Sequence, residues 1–310
     1  MNILFTGVVD WANLCHRIAR GINATGRARA RVWIAEPHPF GYQEDWIGQE
    51  CEEASTYAET CDWVVTTGDG YAMTYAVAQE IQRRSSAKVA VTHAGSEFRR
   101  NYLELLDMDK AIGARARFVG MDSLHLAGIG QVFDKTPTYP YWSTCEPVEI
   151  GAELAPVSGP IVVAHSPSVR SKKGTELILR ALEQAQREFG IEIELIEGVS
   201  FKDAIARRAR AHIFVDQLNP EVGGFGCSAV EAMAQGCAVI ADIRNVPRSN
   251  HSPPIKHAAT VEDVFGIVRE WVMEPRLLEA RRALCWAWAA EHARPEAVGN
   301  RWLNILGRVG

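Results

Sequence analysis

A glycine-rich loop that leads into a short helix and a buried strand constrains the fold of this chain more than any other feature. The stretch reads EVGGFGCSAVEAMAQGCAVI and runs from 221 to 240. Gly223, Gly224 and Gly226 precede the helical residues CSAVEAMAQ. Gly236 follows them in the position of a C-cap, and the apolar AVIA comes next. The pattern predicts a loop, a helix and then an interior strand.

The corner where this loop meets its helix is suited to binding anions or hydroxyl groups. Backbone N–H groups at a helix N-terminus have no intrahelical partner, and the helix dipole adds partial positive charge there. Such a corner holds an anion without a charged side chain. Glu231 lies a little over one turn into the helix, within reach of a bound ligand. The alternative interpretation is an ordinary strand–helix turn with packing glycines and a surface glutamate.

Strands and helices alternate along the rest of the C-terminal half, which predicts a parallel, doubly wound sheet. The predicted elements are 161–165, 174–189, 191–196, 201–210, 212–216, 227–235 and 237–241. The N-terminal half begins in the same way, with a strand ending at Thr6-Gly7, a helix and a second strand. Gly7 therefore stands at a strand's carboxyl end, where open α/β sheets bind ligands. A tight turn at Gly7 is the simpler alternative.

The glycine-rich stretch resembles the sugar-nucleotide signature of the GT-B glycosyltransferases, in particular the retaining family 4 enzymes. IVVAHSPSVRSKKGTELILRALE, residues 161 to 183, is similar to that family's first C-domain strand, basic loop and following helix. The resemblance covers roughly residues 160 to 243, and it extends to the N-terminal half through HAGSEFRR at 93 to 100. It implies a fold of two Rossmann-like doubly wound parallel-sheet domains with a helical C-terminal tail.

This chain departs from the family pattern at one position of the signature. The family has a glutamate eight residues before the one that corresponds to Glu231, and this chain has Gly223 there. The first glutamate of that pair contacts the donor sugar in the family, and Glu221 is one candidate for its replacement. The basic residues are also closer together than is usual, with Arg170 three positions before Lys173.

A nucleotide-sugar donor requires fixed positive groups near its diphosphate, since negative charge builds up there as the sugar leaves. Arg170 and Lys173 supply such groups, whereas Lys172 is expected to be a solvated neighbour. The resemblance assigns the ribose hydroxyls to Glu231, and the turn Glu197-Gly198-Val199 is placed to receive the base. The predicted donor-binding residues are Gly7, Val199, Gly224, Phe225, Gly226, Cys227, Ser228 and Glu231.

The cluster HAGSE follows the strand predicted at 88–92 and is the best candidate site of the N-terminal half. His93 is the third predicted catalytic residue, because histidine titrates near neutral pH and can hydrogen-bond a hydroxyl. A loop histidine bonded to backbone is the alternative. The acceptor is expected to approach near Gly7, and the predicted acceptor-side residues are Asp69, Gly95, Ser96 and Glu97.

Asp107-Met108-Asp109 matches the DxD pattern of metal-dependent glycosyltransferases of another fold. It falls in a helical stretch, so two solvated carboxylates are the preferred interpretation. The GT-B resemblance implies no required metal, and no other metal-ligand spacing is evident. We therefore predict no metal site and no cofactor beyond the UDP- or GDP-sugar donor.

The sequence predicts that the chain has four segments. They are an N-terminal acceptor-side domain (1–135), a linker (136–160), a nucleotide-sugar-binding domain (161–290) and a C-terminal helix (291–310) that packs back on the N-domain. Five prolines between 134 and 160 suit a linker. Phe118–Met121 is predicted as the last strand of the N-domain.

The bulk composition narrows the class further. A net charge of −5 gives no general basic field for nucleic acid or acidic lipid. The seven cysteines are scattered without CxxC pairs, as expected for reduced thiols in a cytoplasmic protein. No run reaches the roughly 18 apolar residues of a membrane span, and no signal peptide is recognised. We expect a monomer or a homodimer.

The sequence thus favours a retaining glycosyltransferase with an unknown acceptor hydroxyl on a glycan, a lipid-linked glycan, a small molecule or a hydroxymethylated DNA base. Two alternatives are open. One is a sugar-nucleotide epimerase of the same fold, which needs acid and base carboxylates beside the sugar. The other is a non-catalytic nucleotide-sugar-binding module, because fold does not determine function.

Overall fold

The computed structural model describes residues 1–67, 72–121, 123, 126, 134–142, 154, 157, 159–246 and 252–310, with backbone alone at 72, 73 and 96. The chain divides into two compact units. The first comprises Met1–Thr144 together with Pro295–Gly310, and the second comprises Cys145–Arg294. Within the described ranges, no helix is long and apolar enough to cross a membrane.

In its described residues, the first unit contains a parallel sheet of seven strands in the order β3-β2-β1-β4-β5-β6-β7. Its central strands β4 and β6 are buried throughout and largely apolar, as is usual for parallel strands covered on both faces. The strands are β1 (Asn2–Gly7), β2 (Arg29–Ile34), β3 (Trp46–Ile47), β4 (Trp63–Thr67), β5 (Lys88–His93), β6 (Ala116–Gly120) and β7 (Thr138–Tyr141). The helices are α1 (Leu14–Ala24), α2 (Glu52–Ala58), α3 (Ala72–Ser85) and α4 (Gly95–Ala111), with a 3₁₀ turn at Trp11–Asn13.

Strand β7 was not expected from the sequence. Phe118–Met121 was predicted as the last strand of the N-domain, but β6 occupies 116–120 and β7 pairs beside it. Pro140 lies inside β7, which is the edge strand of this sheet. A proline is tolerated there because an edge strand leaves one row of N–H groups outside the ladder. The strand lies within the range for which the proline pattern predicted a linker.

The C-terminal helix packs against the first unit. This helix, Pro295–Val309, lies so close to α1 that a Cβ atom on Gly299 would stand 2.1 Å from the carbonyl oxygen of Gly21. The Trp302 ring stacks on Phe118 with 3.7 Å between ring centroids, and Phe5 lies 5.6 Å away. Two facing glycines therefore allow a close helix–helix contact, and a buried tryptophan anchors the helix to the sheet.

The part of the second unit that the structure describes contains a parallel sheet of five strands in the order β12-β11-β10-β8-β9. The strands are β8 (Val162–His165), β9 (Glu192–Leu195), β10 (Ile213–Val215), β11 (Ala238–Ala241) and β12 (Lys256–His257). The helices are α5 (Arg170–Lys173), α6 (Thr175–Phe189), α7 (Phe201–Arg208), α8 (Cys227–Ala234), α9 (Val261–Met273) and α10 (Pro275–His292), and the C-terminal helix is α11. Two parallel α/β units with a helical tail confirm the predicted fold class.

Candidate functional site

The glycine-rich loop meets helix α8 at the carboxyl edge of the second sheet. Helix α8 begins at Cys227, and the preceding Gly226 has an extended backbone. Phe225 is buried, whereas Cys227 and Ser228 are partly exposed. The carbonyl oxygen of Gly224 accepts a hydrogen bond from the side-chain amide of Gln217, at 2.5 Å. The loop is therefore tied to the residues that follow β10, and the helix N-terminus opens at the sheet edge.

Lys173 lies beside this helix N-terminus. Its ammonium nitrogen is 2.7 Å from Oδ1 of Asp216, which is buried directly after β10. Oδ2 of the same carboxylate accepts the N–H of Gly226, also at 2.7 Å. A Cβ atom on Gly226 would stand 3.1 Å from the Lys173 nitrogen. One carboxylate thus fixes a lysine against the glycine loop, and an ammonium group keeps further N–H donors for a ligand.

The same contact corrects one expectation about the loop. Gly226 was predicted as a donor-binding residue, but its backbone N–H donates to Asp216 and is not available to a ligand. The sequence could not indicate this, because Asp216 lies ten residues earlier on another strand end. Asp216 is a site residue that the sequence interpretation missed.

Arg170 makes different contacts from Lys173, although both belong to the short helix α5. Its Nε and Nη2 donate to the two carboxylate oxygens of Glu197 at 2.9 and 2.8 Å, and Nη1 donates to Glu176 at 2.8 Å. Glu197 and then Glu176 raise the pKa of Arg170 above its ordinary value. The guanidinium thus lies by the predicted base-binding turn, in which Val199 is partly exposed.

His165 links the end of β8 to the end of β10, the strand that Asp216 follows. It is the last residue of β8, its Nδ1 lies 2.8 Å from the Val215 carbonyl oxygen, and its Nε2 lies 2.9 Å from Thr175 Oγ1. Burial lowers the pKa of His165 to about 4, so the imidazole is neutral at physiological pH. Nδ1 then carries the proton, since a carbonyl oxygen only accepts. Because Thr175 is the first residue of α6, this buried contact fixes the start of that helix two residues after Lys173.

Glu231 forms a buried ion pair. Its Oε2 accepts from Nη1 of Arg208 at 2.6 Å, and both side chains are about 95% buried or more. Arg208 also donates to the Ser228 carbonyl oxygen at 3.1 Å, which ties α7 to the first turn of α8. The alternative of a surface glutamate is therefore wrong. Arg208 was missed because the sequence RRARA offers no signal that separates it from its basic neighbours.

The position of the missing glutamate has no room for a side chain. Gly223 has a φ of +54°, and a Cβ atom there would stand 2.3 Å from Nδ2 and 2.7 Å from Cγ of Asn245. Asn245 also donates its N–H to the Gly223 carbonyl oxygen at 2.8 Å. Glu221 is exposed, and its N–H donates to the side chain of Asn219. The turn after β11 therefore lies where the family pattern has a carboxylate.

His93 lies in the first unit, buried at the carboxyl end of β5. Its Nε2 is 2.8 Å from Oδ2 of Asp109, whose other oxygen accepts from the Tyr75 hydroxyl at 2.6 Å. Arg117 also donates to Asp109. The His93 ring stacks on Phe98, and its Nδ1 is buried without a hydrogen-bond partner in the described part of the chain. His93 is thus a strand-end residue oriented by a carboxylate, and not a loop histidine bonded to backbone.

Asp109 corrects the expectation of two solvated carboxylates in the DxD pattern. Asp107 is exposed, but Asp109 is fully buried among His93, Tyr75 and Arg117. Although burial acts in the opposite direction, His93 and Arg117 lower the pKa of Asp109. In the described ranges, no group of three or more His, Cys, Asp or Glu residues could hold a metal ion.

The other predicted residues of the first unit are more dispersed. Gly7 ends β1, and a Cβ atom there would stand 2.7 Å from Thr67 Oγ1. Gly95, with a φ of +74°, begins α4, which also contains Ser96 and Glu97 in its first turn. Glu97 accepts a hydrogen bond from Asn101 at 3.2 Å. Asp69 lies outside the described residues.

Comparison with known proteins identifies the fold. No protein-family model matches the chain. No curated protein matches it. Among solved structures, sucrose-phosphate synthase from Thermosynechococcus elongatus has a TM-score of 0.65 at 10% identity, with 100% of this chain and 99% of that chain covered. A glycosyltransferase from Rickettsia africae has a TM-score of 0.63 at 12% identity, with 99% and 98% covered.

A third solved structure represents another enzyme class. It is a candidate UDP-N-acetylglucosamine 2-epimerase from Listeria monocytogenes, with a TM-score of 0.57 at 12% identity, and the alignment covers 97% of this chain and 94% of that one. Together these similarities show that the chain has the GT-B fold. At identities of 10–12% the similarities show the fold alone, because proteins of one fold can have different activities.

Proposed function

We propose that this protein is a retaining, metal-independent glycosyltransferase that moves a sugar from a UDP- or GDP-sugar to an acceptor hydroxyl. The observation that carries the proposal is the Lys173 ammonium, which Asp216 holds beside Gly226 at the N-terminus of α8. A positive charge and a helix N-terminus at one corner bind a diphosphate better than either does alone. The similar fold of a glycosyltransferase supports the same proposal.

The transfer step requires stabilisation of a developing anion. The bond between the anomeric carbon and the diphosphate oxygen breaks, and its electron pair stays on the diphosphate. The acceptor oxygen bonds to the same carbon, and its proton passes to the leaving diphosphate. Lys173 stabilises the charge that appears on that oxygen, as fixed cations do in phosphate-leaving reactions. Configuration is retained if attack occurs on the face that the diphosphate leaves, and this route uses no protein nucleophile.

Two further residues have roles in this proposal. Arg170 donates to both carboxylate oxygens of Glu197 and so orders the turn that receives the base. Its guanidinium also adds positive charge near the diphosphate. Glu231 accepts from the ribose hydroxyls, with its carboxylate kept ionised and oriented by Arg208. Replacing Glu231 by Gln should then weaken a ribonucleotide more than its 2′,3′-dideoxy form, and equal weakening would exclude the ribose role.

His93 is the proposed catalytic residue of the first unit. Asp109 binds Nε2, so the buried Nδ1 is the nitrogen that can hydrogen-bond an incoming hydroxyl. The contact with a carboxylate fixes the orientation of the ring, as in other sites where a second group positions a histidine. The predicted acceptor classes all offer such a hydroxyl.

Incubation with radiolabelled UDP- and GDP-sugars tests the proposal. A glycosyltransferase gives label on an added acceptor or, in its absence, slow release of free sugar with the anomeric configuration kept. The epimerase alternative, which the Listeria structure favours, gives an epimerised nucleotide sugar without any acceptor. Binding without turnover of any donor would indicate the non-catalytic alternative and would overturn the proposal.

A further inference from the structure

Helix α10 of the second unit exposes an apolar stripe to solvent. One face of this helix, with Leu278 and Trp288, is buried where α10 packs against α8 and β11. On the opposite face, Leu277 and Leu284 are 47% and 54% exposed. A helix that is apolar on both faces is typical of one that is covered on both sides. The stripe is therefore a candidate interaction surface.

The stripe has the spacing of a helix–helix seam. Exposed apolar residues recur three and four positions apart, at Leu277, Ala280, Leu284 and Ala287, with Ala283 beside them. This repeat places one residue per turn along the line that a second helix contacts. Because leucine and alanine alternate, two copies in opposite directions place Leu277 against Ala287 and Leu284 against Ala280. Large residues facing small ones allow the two helices to approach closely.

The charges at the two ends of α10 favour an antiparallel second copy. Arg276 lies in the first turn, which contains no acidic residue, and Glu291 lies in the last turn. Both side chains are exposed, and each has the sign that its own helix end does not stabilise. In an antiparallel pair, Arg276 of each copy lies about one turn from Glu291 of the other, beside the C-terminal end of that helix. Both charges then become favourable.

The stripe fits a second helix better than a lipid surface. Helices that lie on membranes carry Lys and Arg along their polar side. The charged residues of α10 between 276 and 291 include both signs, and the whole chain has a net charge of −5. Arg281 is bound within its own unit, since its Nη1 donates to the Pro254 carbonyl oxygen at 3.4 Å. Anionic lipid would therefore meet mixed charges, whereas a second copy meets complementary ones.

We propose that α10 forms the interface of a homodimer, in which the stripe from Leu277 to Ala287 packs antiparallel on the same stripe of a second copy. A twofold axis near position 282 relates the two copies, so the contact uses the same patch on both. The helix has 18 residues and is about 27 Å long, which is less than most permanent interfaces provide. The dimer should therefore dissociate with a Kd between about 1 and 100 µM.

Sedimentation velocity of the full chain from about 1 to 300 µM tests the dimer. The wild type should change from monomer to dimer over this range. Leu284→Glu places two like charges near the twofold axis and should raise the Kd at least about 100-fold. Leu103→Glu is the matched control, because Leu103 is 52% exposed on α4 of the first unit, and it should leave the Kd unchanged. Thermal unfolding checks that both variants are folded.

Two outcomes of this experiment would overturn the proposal. One is a wild type that stays monomeric at about 300 µM, and flotation of that monomer with anionic vesicles would then assign the stripe to lipid. The other is an equal loss of dimer in Leu284→Glu and Leu103→Glu, which would place the interface elsewhere.

Exchange of the end charges tests the antiparallel direction. Arg276→Glu and Glu291→Arg each create two like-charge contacts per dimer and should each raise the Kd about 10-fold. The double variant restores opposite charges and should return the Kd to the wild-type value. Each single change also suits the dipole of its own helix, so the monomer should lose no stability. A double variant as weak as the single ones, or single variants with unchanged Kd, would contradict the antiparallel pairing.

Discussion

The carboxylate of Asp216 joins Lys173 and Gly226, which are 53 residues apart in the chain, through two contacts of 2.7 Å. Asp216 is fully buried after β10, whereas the Lys173 side chain is partly exposed. The arrangement brings a cation, a glycine and a helix N-terminus to one corner of the second unit. A Cβ atom at 226 would stand 3.1 Å from the Lys173 nitrogen, so a side chain there would displace the ammonium group by a few tenths of an ångström.

The buried pair of Glu231 and Arg208 should contribute strongly to stability. Removing one member leaves an unpaired buried charge, so Glu231→Ala and Arg208→Met should each lower the free energy of unfolding by about 3–5 kcal/mol. Arg207→Met is the matched control on the same helix, because Arg207 pairs with Glu194 at the partly exposed surface and should cost about 1 kcal/mol or less. Urea unfolding measures all three. Similar costs for Arg207→Met and Arg208→Met would contradict the burial of the pair.

A side chain at Gly223 should be unfavourable for two separable reasons. A positive φ costs a non-glycine residue about 1–2 kcal/mol, and a Cβ atom would also collide with Asn245. Gly26 is a matched control, since its φ is +66° and nothing lies within 4 Å of the added Cβ atom. Thermal unfolding should show that Gly223→Ala loses more stability than Gly26→Ala. The opposite order would mean that the turn at 245 moves aside freely.

Chelation of divalent metal should leave transfer largely intact. Both oxygens of Asp109 are occupied by His93, Tyr75 and Arg117, so the DxD pattern cannot present a pair of carboxylates to a metal ion. The measurement is the initial transfer rate with EDTA and after addition of Mn²⁺ or Mg²⁺. Loss of activity in EDTA with recovery on adding either ion would contradict this account of the site.

Stability should fall in mild acid through His165. Its pKa is about 4 in the folded protein and 6.5 when exposed, so both states are neutral above pH 6.5 and His165 then contributes no pH dependence. As the pH falls from about 6.5 to about 4, the unfolded state binds a proton that the folded state does not, and up to about 3 kcal/mol is lost. The free energy of unfolding of His165→Gln should lack this component. Parallel pH profiles for the two proteins would rule it out.

The sequence predicted the fold well because alternation of strands and helices is a local pattern. The glycine loop before α8 and the basic segment before α6 were recognisable for the same reason, although the predicted basic loop is the short helix α5. Pairings between distant residues were not, since nothing in the sequence marks Asp216 as the partner of Lys173 or Arg208 as the partner of Glu231. Burial of Asp109 was missed because its DxD pattern on a helix is typical of a solvated face.

The assignment of the donor corner to Lys173 is tested most directly by nucleotide binding to two neighbouring lysine variants. Lys172 is exposed beside Lys173 and is the matched control. Titration calorimetry with UDP and GDP should show that Lys173→Met weakens the bound nucleotide about 10- to 100-fold, as loss of one charge-assisted hydrogen bond predicts, while Lys172→Met changes little. Thermal unfolding confirms that both variants are folded. Equal effects of the two substitutions, or unchanged affinity in Lys173→Met, would contradict the account.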